Sequence, residues 1–105
     1  MKFRHLLILS GSLLLAGNAL ADDGAALMKK NGCATCHQPA AKAVGPSLKA
    51  IAAKYAGDAG AAAKLAAKVR KGGSGSWGAM PMPPTPAKAS DDDIKAMVAS
   101  ILAAK

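Results

Sequence analysis

The residues able to do chemistry stand together at Cys33-Ala34-Thr35-Cys36-His37. Two thiols three positions apart can add to the two vinyl groups on one edge of a porphyrin. The imidazole that follows at once is carried under the ring, within reach of an iron. A bare C-x-x-C is shared by zinc sites, disulfides and thiol redox motifs, and the adjacent histidine is what selects covalent haem attachment among them. A thiol–disulfide protein usually sets its motif beside a βαβ pattern, which this sequence lacks, and a structural zinc site would want a fourth ligand.

A second iron ligand must come from elsewhere in the chain. Lys2 and Arg4, the apolar run from Leu6 to Leu15 and the small-x-small Ala19-Leu20-Ala21 read as a cleaved secretory signal over residues 1–21, leaving one domain over 22–105. The apolar stretch is shorter than the roughly 18 to 20 residues of a spanning helix, so no stable membrane anchor is expected. With His5 gone with the leader, His37 is the lone histidine and a second imidazole from the same molecule is excluded. Four methionines remain. Met28 and Met97 fall on helical, core-type positions. Met80 and Met82 lie in Gly78-Ala79-Met80-Pro81-Met82-Pro83-Pro84, where prolines restrict the backbone enough to hold a thioether in place. Met82, enclosed by three prolines, is the favoured donor and Met80 its competitor.

These groups must be positioned by helices, since no convincing strand pattern appears. A first helix runs through Ala25–Lys30 and is stopped by Asn31-Gly32 directly before Cys33. Residues 38–46 form a loop. Ser47 caps a second helix through Ile51 to Tyr55, ended by Gly57, and 59–71 form an alanine-rich third with Leu65 and Val69 on one face. Glycines from Gly72 to Gly78 and four prolines from Pro81 to Pro86 then make a shaped loop. Ser90 followed by three aspartates caps the last helix. Its stripe of Ile94, Met97, Val98, Ile101 and Leu102 is expected to pack on the first helix.

Composition agrees with a group-filled core. The 84 residues of the expected mature domain hold two aromatic side chains, Tyr55 and Trp77, and much alanine. A domain this small buries a low fraction of its surface, and each aromatic it lacks would have buried about 150–250 Å². A haem supplies that missing core. The mature chain keeps twelve Lys and Arg against six Asp, a formal +6 against +8 for the full sequence. On an exported protein this points to acidic partners or an anionic surface. Nucleic acid is excluded by the compartment and by the absence of aromatics interleaved with the lysines. Lys29, Lys30, Lys42 and Lys49 are the candidates for a basic docking rim.

The chain resembles a class I cytochrome c of the short bacterial c-551/c-552 type. The likeness is carried by Cys33–His37, Val44-Gly45-Pro46, Ala53-Lys54-Tyr55-Ala56-Gly57, and Trp77-Gly78 with Met80-Pro81-Met82-Pro83-Pro84. It implies an all-α single domain of about four short helices wrapped around one haem c, attached through two thioether bonds. In that family the methionine before the paired prolines is the axial ligand, here Met82, opposite His37. The carbonyl of Pro46 would accept a hydrogen bond from the non-ligating nitrogen of His37. Trp77 would donate its indole N–H to a haem propionate or fill space beside the haem. Lys68, where relatives often carry Arg, would assist at the propionates. Relatives also often place an aromatic ring near Leu27 and Met28.

The implied activity is one-electron transfer, Fe(III)/Fe(II), by a soluble monomeric periplasmic carrier that is not an enzyme. Its expected partners are redox proteins with acidic docking surfaces, such as nitrite reductase, a terminal oxidase, a peroxidase or a quinol-cytochrome c reductase. The competing class, a haem enzyme or gas-binding protein with a labile sixth ligand, would want a distal His or Arg that the sequence does not supply.

Overall fold

The computed structural model describes residues 23–104; the expected leader, Asp22 and Lys105 lie outside the described residues. The fold is helical, with five segments in chain order: α1 (23–30), α2 (Cys33–Cys36), α3 (Leu48–Lys54), α4 (Ala61–Lys71) and α5 (Asp91–Leu102). Among the described residues no strand forms, and β-type pairing is confined to one isolated bridge between Gly73 and Met82. Four of the segments are the expected helices. The fifth, α2, is a single turn that the hydrophobic pattern could not show, because it buries no residue.

Local chemistry sets most of the helix ends. Ser47 accepts from the Ala50 amide at 3.0 Å and starts α3. Ser90 and Asp93 exchange side-chain to backbone hydrogen bonds at 3.0 and 3.1 Å, a complete capping box at the head of α5. Gly60, before α4, offers no side chain. Asp58 accepts from its amide at 2.8 Å and pairs with Lys64 at 2.9 Å, bracing the first turn from outside. Gly72 closes α4 at φ +71, a conformation that strains any residue with a Cβ.

The α5 stripe is buried as expected at Ile94, Met97, Val98 and Ile101, with Ala96 widening it and Leu102 only half-buried. Its packing is broader than expected, because α5 lies against α3 and α4 as well as α1. The crossing with α1 falls at Gly24. A Cβ there would meet the Ala96 carbonyl oxygen and approach the Ser100 Cβ to 2.7 Å. The backbones therefore approach too closely for any side chain, and α1 lies directly on α5. Met28 and Met97 are core residues, 5% and 1% exposed.

Candidate functional site

The turn of α2 places Cys33 and Cys36 three residues apart on a helix, so both thiols fall on one side of it. Gly32, at φ +79, allows the chain to end α1 and re-enter a helix at once. The His37 amide closes α2 by donating to the Cys33 carbonyl at 2.9 Å, and the backbone leaves the helix there in an extended conformation. Both cysteines are half-buried and unpaired. Burial pushes the Cys33 thiol above its ordinary value; a backbone hydrogen bond at Cys33 opposes this, and Cys36 adds to the rise.

The loop after His37 folds back to hold the ring. His37 Nδ1 lies 2.8 Å from the Pro46 carbonyl oxygen. Since a carbonyl can only accept, Nδ1 carries a proton, and in the neutral ring this leaves the Nε2 lone pair for a metal. Gly45 lies flat against the imidazole. A Cβ on it would stand 2.7 Å from His37 Cε1 and 3.1 Å from Nδ1. The Gly45 amide donates to the Cys36 carbonyl at 2.8 Å, and the Leu48 amide donates to the Gln38 carbonyl at 2.9 Å, so the loop is pinned at both ends.

Met82 is carried by a strap that returns to the C-terminus of α4. Its amide donates to the Gly73 carbonyl at 2.8 Å and its carbonyl accepts from the Gly73 amide at 2.9 Å. A Cβ on Gly72 would press against the Met82 carbonyl and come within 2.8 Å of Pro83 and Pro84, which is why the α4 end is glycine. Thr85 donates to the Val69 carbonyl at 3.1 Å, tying the strap down beyond the prolines. Met80, two residues earlier, is 67% exposed, whereas Met82 is half-buried and packs against the core.

Cys33, Cys36, His37, Pro46, Lys68, Trp77 and Met82 all line one cleft that opens to solvent. Its inner wall is the core itself, including Met28, Ile51, Leu65, Val69, Met97 and Ile101. A flat apolar group seated there would complete this sparse core. The donor set of two thiols, a tautomer-fixed imidazole and a thioether fits haem c. Among the described residues no cluster of three His, Cys, Asp or Glu side chains offers a different metal site.

At the mouth, Trp77 is 46% exposed. Lys54 stands over its ring, 4.5 Å from Nζ to the centroid, and donates to the Ser76 carbonyl at 2.8 Å. Lys68 is half-buried on α4, and its Nζ would lie 3.7 Å from a Cβ on Gly73. Lys29, Lys30, Lys42 and Lys49 are exposed but do not line the cleft; Lys68 does. Gly45 and Lys54 fall within motifs that carry the resemblance, but no sequence signal shows the contacts they make here. Their partners are brought close by folding alone.

An all-helical chain built round an apolar cleft, with a C-x-x-C-H turn in its wall, has the architecture of a covalent haem carrier. The sequence profile of the cytochrome c family matches residues 21–105. Cytochrome c-552 of Nitrosomonas europaea is 52% identical over 96 residues, covering 91% of this chain and 90% of that protein. Cytochrome c-551 of Pseudomonas aeruginosa is 43% identical over 98 residues, covering 93% of this chain and 92% of that one. The crystal structure of wild-type Nitrosomonas europaea cytochrome c552 superposes with a TM-score of 0.72 at 53% identity, covering 77% of this chain and 99% of that chain. The chain belongs to the cytochrome c family and is a class I member of the c-551/c-552 type. It is accordingly a small electron carrier with one covalently attached haem c.

Proposed function

We propose that this protein is a periplasmic one-electron carrier between respiratory redox partners and not an enzyme. Residues 1–21 are its cleaved export signal and 22–105 its working domain. Cys33 and Cys36 would hold the haem covalently, His37 Nε2 and the Met82 thioether would bind its iron, and the Pro46 carbonyl orients the imidazole. Bound in this cleft, a haem would supply an Fe(III)/Fe(II) couple whose potential Met and His ligation would raise.

The chain's own residues do the rest. The hydrogen bond from His37 Nδ1 to Pro46 sets the tautomer and the ring plane and increases the basicity of Nε2. The core wall excludes water from one face of the cleft, while Trp77 and Lys68 line it and would meet the haem propionates. Two side-chain ligands leave no position for substrate, which argues for transfer between outer surfaces. Among the described residues no helix is long and apolar enough to cross a membrane. The partners are redox proteins with acidic docking faces, such as nitrite reductase, a terminal oxidase, a peroxidase or a quinol-cytochrome c reductase. They meet a chain of net positive charge.

Met80 and Met82 both line the cleft with His37, and the observation that carries the ligand assignment is that Met82 is paired with Gly73 and packed against the core whereas Met80 is 67% exposed. The ferric holoprotein tests it through the Met–iron absorption band at the red end of the spectrum. Met82→Ala should abolish the band and Met80→Ala should leave it. The opposite result would transfer the role to Met80.

A further inference from the structure

We propose that Arg70 is the positioning residue that keeps the Met82 thioether on the iron, a role that rests on the reading of Met82 as axial ligand. Arg70 lies in the last turn of α4, two residues before Gly72. The hydrogen bonds of its two terminal nitrogens all go to the chain that follows Met82. Nη1 donates to the Thr85 carbonyl at 3.3 Å and the Pro86 carbonyl at 3.1 Å. Nη2 donates to the Ala89 carbonyl at 2.7 Å and to the Asp91 carboxylate at 2.9 Å.

One planar fork therefore joins α4, the segment after the prolines and the first turn of α5. The strap leaves α4 at Gly73, passes Met82 and is clamped again at residues 85–91. Pro81, Pro83 and Pro84 have no amide hydrogen, so few backbone bonds can hold this stretch from within. Hydrogen bonds reaching across from α4 take that place. The side chain of Arg70 is 30% exposed and that of Asp91 is 98% exposed, so the ion pair is the weaker part of the clamp and the three carbonyl contacts the stronger. A lysine at position 70 would present a single ammonium and could not span acceptors from Thr85 to Asp91 in one plane. Releasing the fork frees the far end of the strap, and the thioether leaves the iron more often without the fold coming apart.

Imidazole binding to the ferric holoprotein reads this opening, because the added ligand takes the position Met82 vacates. Loss of charged hydrogen bonds to the strap predicts that Arg70→Gln raises imidazole affinity about tenfold or more. Arg70→Lys should fall between wild type and Arg70→Gln. Ile94→Val shortens a core side chain that lies outside the cleft lining and should leave imidazole affinity unchanged although it lowers stability. An Arg70→Gln affinity within about twofold of wild type would overturn the proposal, as would an equal rise in Ile94→Val. Should Arg70→Gln not accumulate as folded protein, Arg70→Lys carries the test, and wild-type affinity there overturns it. Met82→Ala separates the two levels. Loss of the red band there with normal imidazole affinity in the Arg70 variants sinks the clamp alone, whereas a band that survives in Met82→Ala sinks the ligand reading beneath it.

Discussion

Gly45→Ala tests the most tightly constrained contact of the site. The φ of Gly45 is not positive, so alanine suits its backbone. In open space the change would stabilise the protein by about 0.4–1 kcal/mol through the unfolded chain. Here the added Cβ would stand 2.7 Å from His37 Cε1, where carbon atoms rest at about 3.5–4.0 Å. The ring or the loop must therefore move by roughly 0.8–1.3 Å. The loop cannot easily yield, because the Gly45 amide is bonded to the Cys36 carbonyl at 2.8 Å and its carbonyl to the Ala43 amide at 3.2 Å. Movement falls on the imidazole, and a shift of that size stretches the 2.8 Å bond to Pro46 past hydrogen-bonding range. A part-buried donor left unpaired costs about 1–3 kcal/mol, which reverses the sign of the substitution. Urea unfolding of the holoprotein measures the stability change, and the reduction potential reports the altered basicity of the ring. Wild-type or greater stability together with an unchanged potential would refute the account of Gly45 as the plate against which His37 is set.

Two further expectations concern the frame. Gly24→Ala places a Cβ against the Ala96 carbonyl and within 2.7 Å of the Ser100 side chain, forcing α1 off α5; an overpacking cost of about 1–3 kcal/mol should appear as a lower unfolding midpoint with the red band retained. For Asp58, the hydrogen bond from Lys64 foremost and the Gly60 amide next hold the carboxyl below its ordinary 3.8, while Asp58 holds the Lys64 amine above its ordinary 10.5. Their contribution is complete between those two values, and is lost as pH falls through the depressed carboxylate or rises through the elevated amine. Thermal midpoints of wild type and Asp58→Asn should thus differ slightly at pH 7 and converge in acid, and a gap that widens in acid would contradict the assignment.

What the sequence alone could determine depended on partners close along the chain. The Ser90–Asp93 box spans three residues, the C-x-x-C-H turn five, and the α5 stripe repeats every three or four. Even the His37–Pro46 contact bridges nine positions and came through resemblance, since nothing local in Val44-Gly45-Pro46 aims a carbonyl at a ring. Scarce aromatic residues announced that the core wanted a large apolar group, because buried area can be estimated from composition before the fold is known. Only the tertiary structure could assign Arg70, whose acceptors lie 15 to 21 residues on, and Lys54, whose carbonyl partner lies 22 on. Gly24 and Gly45 were legible as glycines but not as close approaches, for a missing side chain leaves no pattern of its own. Spacing specified which atoms can bind haem. How the chain folds back decided which of them are held still, because hydrogen bonds and steric contacts between distant segments exist only once the helices have packed.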